Sequence, residues 1–384
     1  MTSPLRISVF DGAYQPLDWV GRPLSVTGTL RFDKASTVSI VLDSDDEQIG
    51  QLVAPGARLV LEYFADPAAP TTATFAVSGA VDERTGVGGS MGTRTFGLVD
   101  DWAYVMSILG FPNPTGTITQ QGDDAAEYTV SGSAETVVKT LVSLNATRLG
   151  LPITCATDQH RGSSISVSIR MVPLLDRLYP AVTQAGIGVT VQQSGAGLVV
   201  DCFVPTVRTD VLTEVSGVVI GGTWTQRAPT VTRVVEAGGG EGTARVFRLQ
   251  IDSAAELAWG TSGKPFVREA SLDCRDTSDS AVMDARGLAT LTAGAATSLV
   301  QCELAETQDF RVGVSAWLGD TLSIQLAGAP EILGTVTEVG FSFVKDEGPV
   351  LTPRVGEVNT TFAQQVSSAL VAVAARQHII DMGR

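Results

Sequence analysis

Short runs of alternating apolar and polar residues fill most of this chain, and Gly, Pro, Asn or Asp punctuates them. The clearest run is Thr321 to Leu326. Leu322, Ile324 and Leu326 share one phase, and Thr321, Ser323 and Gln325 the other, which is the period of a strand with one buried face. Leu318-Gly-Asp320 turns the chain into it, since Gly accepts φ > 0 and Asp can bond the backbone two residues on. Ala327-Gly-Ala-Pro330 turns the chain back. The next run, 332–343, is apolar at Ile332 and Val336 and then at Val339, Phe341 and Phe343. Its phase slips by one between Val336 and Val339, which predicts a β-bulge of the kind a small barrel uses to close. An extended piece from Val350 to Gly356 follows.

The same reading applies from the N-terminus. Alternation predicts strands over 6–11, 24–32, 37–43, 57–64, 75–81 and 94–99, at spacings that suit an antiparallel barrel. Asp100-Asp-Trp-Ala-Tyr104 opens a short helix towards Gly110, and Phe111-Pro-Asn-Pro114 breaks it. Residues 115–124 read as a polar linker. Beyond it, Ser133 caps a helix to about Asn145, with Ala134, Val137, Val138, Leu141 and Leu144 on one stripe. A strand over 165–169 precedes a helix with Pro173 at its first position and Gly186 past its end. Strands 187–192 and 198–203 flank the hairpin Ser194-Gly-Ala-Gly197. The third region begins near Val207, with strands expected over 213–221, 231–236, 244–251 and 299–305. Helices are expected over 254–259 and 278–293, the second with Val282, Ala285, Ala289 and Leu291 inward. Residues 361–380 form a last helix, with Thr361 and Gln364 in a capping-box pattern and Phe362, Val366, Leu370 and Val373 on a narrow stripe.

The fold class is therefore mainly β with an α+β insert. Two antiparallel β-barrel-like domains, 1–115 and 207–356, are separated by a small α+β domain, 116–206, and a short C-terminal helix occupies 357–384. A chain of 384 residues can hold two or three such domains.

Net charge is −15, so the chain lacks the basic surface needed to grip nucleic acid through phosphates. Solubility explains the charge. Cys155, Cys202, Cys274 and Cys302 are widely spaced with no Cys-x-x-Cys, and a chain of this size needs no disulfide staples. Cys202 and Cys302 alternate with apolar neighbours, as buried thiols do. The start, Met1-Thr-Ser-Pro-Leu5, has neither a charged segment nor an apolar one of a secretory signal. No run approaches the roughly 18 apolar residues of a membrane span. Synthesis in a cytoplasm without a membrane helix is the expectation.

Candidate chemistry is sparse. His160, in the polar loop Asp158-Gln-His-Arg161, and His378 have no partner at metal spacing. Ala237-Gly-Gly-Gly-Glu-Gly242 lacks the Lys and the following helix of a phosphate loop, and reads as a hairpin tip. Asp43-Ser-Asp-Asp-Glu47 lacks the Gly and distal Glu of a calcium hand, and reads as a solvated turn. Asp100, Asp101 and Glu127 are the carboxylates a glycosidase pair would draw on, without an aromatic-rich cleft around them. Trp102 is better placed to anchor its helix. No Gly-x-Ser-x-Gly elbow or His-Glu-x-x-His motif is present. No catalytic, cofactor-binding or metal residue is assigned, and no cofactor is expected.

The stretch 309–356 resembles tail-tip (baseplate) hub proteins of long-tailed bacteriophages, called minor tail proteins in actinobacterial phages. The features in common are Asp309-Phe-Arg-Val-Gly313, the Leu318-Gly-Asp320 turn with its strand, the strand through Val336 and Val339, and the Pro349 close. The order from Phe75 through Thr93-Arg-Thr-Phe-Gly-Leu-Val-Asp-Asp-Trp102 to Pro112-Asn-Pro114 is similar to the family's first barrel, and Gln184-Ala-Gly-Ile-Gly-Val189 to its middle domain. Val314-Ser-Ala316 departs from the pattern, standing where an acidic–aromatic pair commonly precedes the turn.

The resemblance implies a structural virion protein of the phage tail tip, not an enzyme. It implies a homotrimer whose barrels match the hexameric ring of the distal tail protein. Other implied partners are the C-terminal end of the tape measure protein and further tip and receptor-binding proteins. DNA would pass through the channel without specific binding, and the ring would gate it. Two other classes compete with this reading: a tail-associated peptidoglycan-degrading enzyme and a host-carbohydrate-binding module. Against the second, Trp19, Trp102, Trp224, Trp259 and Trp317 are dispersed and not clustered.

Overall fold

The computed structural model describes residues 4–66, 73–87, 92–121 and 126–356. The helix expected over 361–380, and His378 with it, lie outside them. The chain divides into two compact units. One comprises Met1–Gly221, Gln301–Ala327 and the chain from Leu333 onward; the other is Gly222–Val300 with Gly328–Ile332.

In the first unit the alternating runs become strands close to their expected bounds. These are β1 (Leu5–Phe10), β2 (Pro16–Trp19), β3 (Ser25–Arg31), β4 (Thr37–Asp43), β5 (Arg58–Tyr63), β6 (Phe75–Gly86) and β7 (Thr93–Val99). Helices α1 (Ile49–Leu52) and α2 (Asp101–Met106) join them. The strands run antiparallel in the order β3-β4-β7-β6-β5-β1-β2. One phase of each is buried, as with Val38, Ile40 and Leu42 of β4. Helix α2 stops short of Gly110: β8 (Leu109–Gly110) pairs instead with β12 (Val172–Pro173).

The α+β body follows. It contains β9 (Tyr128–Ser133), α3 (Ala134–Leu149), β10 (Ile153–Cys155), β11 (Ser164–Ile169), α4 (Leu174–Gln184), β13 (Gly188–Ser194) and β14 (Gly197–Phe203). Ser133 caps α3 through the Thr136 N–H, as its position predicted, and Gly150 ends the helix in the left-handed region. Pro173 sits one place earlier than expected, at the N-cap of α4. The α3 residues Val137, Val138, Leu141 and Val142 are sealed against α4, β11 and the β10-β14-β13 sheet in one apolar core.

Beyond Phe203 come β15 (Val207–Thr213) and β16 (Val219–Arg227). A single strand over 213–221 was expected. A turn interrupts it, with Gly217 at φ 72° donating to the Glu214 carbonyl at 3.1 Å. Local bonds of Ser216 to Thr213 fix the turn.

The second unit is a small α+β assembly. Strands β17 (Arg233–Ala237), β18 (Phe247–Ile251) and β19 (Glu269–Asp273) form a sheet of their own, β18-β17-β19, with α5 (Ser253–Ala258) and α6 (Ser280–Ala293). The buried stripe of α6 is Met283, Gly287 and Leu291, while Val282 is exposed. Of the expected inward positions only Leu291 is buried, because Gly287, invisible to a hydrophobic periodicity, lies on the packed face.

The chain re-enters the first unit within β20 (Thr297–Leu304) and continues through β21 (Thr321–Gln325), β22 (Ile332–Val344) and β23 (Val350–Val355). Strand β22 pairs with β23, with a register shift between Val336 and Glu338, which is the predicted bulge. It also pairs with β3 from Glu338↔Arg31 to Val344↔Ser25. Strands from both ends of the sequence thus share one sheet, β20-β23-β22-β3-β4-β7-β6-β5-β1-β2, with β21 beside β22 and β15 parallel to β21. The protein is mainly β, with few helices and mostly antiparallel sheets. No closed barrel is found among the described residues.

The β3–β22 seam has a sequence cause. Gly28 falls on the core phase of β3, and Phe341 is its cross-strand partner. A Cβ on Gly28 would meet the Phe341 ring and the Thr37 carbonyl, so the missing side chain makes the space the ring fills. Phe341 in turn packs on Phe75 (5.5 Å between centroids), itself 5.2 Å from Tyr63.

Candidate functional site

The residues that the sequence put forward for chemistry are not brought together. Asp100 is the N-cap of α2, accepting from the Ala103 N–H at 3.2 Å. Asp101, its neighbour, points into a buried ion pair. Glu127 is exposed on the approach to β9. His160 is largely solvent-facing, with Nδ1 3.1 Å from Thr136 Oγ1 and 3.4 Å from Asp158. The Gly238–Gly242 stretch is a turn beyond β17, with a 3-10 segment Gly242–Ala244 and no α-helix behind it. In the 43–47 turn, Asp46 Oδ1 is bonded to the Gln48 N–H, an Asx turn that needs no ion. No group of three His, Cys, Asp or Glu able to hold a metal occurs among the described residues. All four cysteines are free thiols; burial pushes Cys202 up to about 12 and Cys302 up to about 11.

Two polar clusters that periodicity could not reveal hold the first unit together. In one, Arg58 of β5 reaches Asp101 of α2 through Nη2, 2.6 Å from both carboxylate oxygens, and both side chains are buried. Ser78 of β6 donates to Asp101 Oδ2 at 2.5 Å and accepts the Gln193 N–H at 2.9 Å. Arg58 Nε donates to Gln193 Oε1 at 2.9 Å, and the guanidinium lies 4.4 Å from the Tyr14 ring centroid. The network ties β5, β6 and α2 to β13 of the α+β body with charge-assisted bonds. Asp101 thus serves as a structural counter-ion to Arg58.

In the other, Glu135 of α3 is fully buried between Lys139 (2.6 Å) and Arg161 (2.8 Å). Asp201 of β14 joins both cations, at 2.9 and 2.6 Å. Bonds to Arg161 hold the Glu135 carboxyl well below the usual carboxylate range, and its bond to Lys139 adds to this while burial opposes it. The Glu135-x-x-x-Lys139 spacing was the visible signal for this quartet; Arg161 and Asp201 come from distant strands and loops.

One open trough is lined by small polar and acidic side chains. Across β3, β4, β7, β22 and β23 the residues Thr27, Ser39, Thr95, Ser342 and Thr352 line a trough of about 830 Å³. Asp82, Glu83 and Glu303 border it. Its one lining cation, Arg354, is bonded to Glu303 at 2.9 Å. Small hydroxyls and acids, with the one arginine already held by Glu303, offer a polyanion nothing to hold.

This architecture is that of phage tail proteins. A 43 kDa tail protein of prophage MuSo2 from Shewanella oneidensis superposes with a TM-score of 0.52 at 11% identity, covering 91% of this chain and 97% of that one. Prophage tail protein gp18 from Listeria monocytogenes gives 0.52 at 8% identity, covering 96% and 99%. A search of curated proteins gave no match. The chain belongs to the Siphovirus ReqiPepy6 Gp37-like protein family, whose match spans residues 6–357.

Proposed function

We propose that this chain is the tail-tip (baseplate) hub of a long-tailed actinobacterial phage, and that it acts mechanically and not as an enzyme. Three copies would form a ring in which two barrel-like regions per subunit, 1–115 and 207–356, present six similar surfaces. That ring would seat on the hexameric distal tail protein, receive the end of the tape measure protein and carry further tip and receptor-binding proteins below. The α+β domain, 116–206, would brace the two regions, and the C-terminal segment, 357–384, would add a helix near the threefold axis.

The observation that carries this reading is the double pairing of β22. Its pairing with β3 and with β23 makes strands from both ends of the chain one continuous hydrogen-bonded body. A load applied to either region is then shared through backbone bonds, as a part joining two rings requires. The acidic, hydroxyl-lined trough supports passage of DNA without specific binding.

The test is immunogold labelling of intact virions with antibody to this chain, paired with the solution mass by multi-angle light scattering. Label at the distal end of the tail and a species of about three times 40.1 kDa are expected. Label along the tail tube or at the head would overturn the hub assignment. A monomer at every concentration, even with the distal tail protein added, would overturn the trimeric ring.

A further inference from the structure

The turn between β3 and β4 wedges into the α+β body of the first unit. Asp33 in that turn has a left-handed backbone, φ 49°, and is 5% exposed. Its Oδ1 accepts the Val189 N–H of β13 at 3.1 Å, while its Oδ2 is buried with no hydrogen-bond partner. Phe32 beside it meets Phe203 edge-on at 6.1 Å. Open space lies on both sides of the aspartate. A cavity of about 390 Å³ is bounded by Phe75, Val191 and Trp317, and one of about 490 Å³ by Leu175, Tyr179 and Pro180. Trp102 lines both, and its buried Nε1 is also unpartnered. Two polar atoms left unsatisfied between two voids make this a weakly packed joint.

The charged groups facing the turn do not neutralise Asp33. On its own strand Arg31 is bonded to Glu338 at 3.0 Å, and Lys34 borders the larger cavity. Helix α2 contributes Asp100, whose carboxyl burial also pushes up against the bond from Ser36. Strand β5 contributes Glu62, paired with Arg6, and α4 contributes Asp176 and Tyr179. Residues 188–192 of β13 carry no charge. The 317–320 turn contributes Asp320, which holds the N–H groups of Thr206 and Trp317. Burial pushes Asp33 up to about 6, opposed only by the Val189 N–H.

We propose that the Asp33 turn is a pH-responsive latch, seated on β13 when Asp33 is neutral and loosened when it ionises. An ionised Oδ2 gains water only if the turn lifts away from Val189. The sign follows from linkage. The folded value lies above that of the unfolded chain, so the seated turn is favoured in acid and loses that advantage as pH rises through about 6. The latch is independent of ring formation and needs no partner.

The experiment is hydrogen exchange of the Val189 amide in the full chain, as protection factors between pH 5 and pH 7.5. Protection should fall about tenfold in the wild type over this range and stay flat in Asp33→Asn, which keeps the acceptor for Val189 without the charge. The Leu141 amide of α3 serves as an internal reference, and its protection should not move with Val189. A flat profile in the wild type, or the same fall in Asp33→Asn, would overturn the latch. A parallel fall at Leu141 would also overturn it, since the pH response would then be global.

Discussion

Arg58 Nη2 of β5 lies 2.6 Å from both carboxylate oxygens of Asp101 at the start of α2, in a pair 43 residues apart in sequence and buried on both sides. Removing one partner leaves the other charged and unpaired in a low-dielectric site. Asp101→Ala should therefore cost about 3–5 kcal/mol. Arg58→Met combined with Asp101→Leu should cost much less than the two single changes together, because neither charge remains. Urea denaturation of the four proteins tests this; additive losses would show that the pair does not act as a unit.

Phe341 fills the space over Gly28 at the seam between β22 and β3. Phe341→Ala removes a buried ring and leaves a cavity, an expected loss of about 3–5 kcal/mol. A loss below about 1 kcal/mol in the same denaturation assay would mean that the seam does not depend on that ring.

Glu135 gives the acid response its shape. Its folded pKa lies below that of the unfolded chain, so its stabilisation is present above the ordinary glutamate value and is lost as pH falls below it. Stability plotted from pH 7 to pH 3 should drop more steeply in the wild type than in Glu135→Gln, which should start lower by about 3 kcal/mol. Parallel curves would remove Glu135 from the account.

In the second unit, α6 places Gly287 directly over the Glu236 carboxylate, where an added methyl would collide. Glu236 cannot retreat freely, since Oε1 is held by Gln250 Nε2 at 2.8 Å. Gly287→Ala improves helix propensity by about 1 kcal/mol, but overpacking at this point should cost about 3 kcal/mol, a net loss of about 2 kcal/mol. Thermal denaturation should show a lower midpoint; a higher one would mean that α6 can shift.

If the trough faces passing DNA, cations on its wall should slow that passage. Phage carrying Thr27→Lys with Thr95→Lys should assemble normal tails yet release DNA about tenfold more slowly at low salt, with recovery at high salt. Unchanged release at low salt would place the trough away from the path.

What the sequence by itself determined is local. The period of two fixed β3, β4, β21 and their neighbours, since a strand with one buried face must alternate, and the phase slip at Val336 located the bulge in β22. Ser133 marked the start of α3 through unpaired backbone groups that any helix end must satisfy, while its end lies at Leu149 and not near Asn145. Motif order pointed to phage tails. The tertiary structure alone decided what joins what. Nothing in the alternation of β22 says that it pairs with β3 some 300 residues away, or that β17, β18 and β19 form a separate sheet. The turn at 214–217 and the stripe of α6 were misread because a Ser–backbone bond and a packed glycine leave no hydrophobic trace. Nor does the sequence show that Asp101 and Glu135 are buried counter-ions. Their roles depend on Arg58, Ser78, Arg161 and Asp201, and a charge is worth burying only where the fold brings its counter-charge.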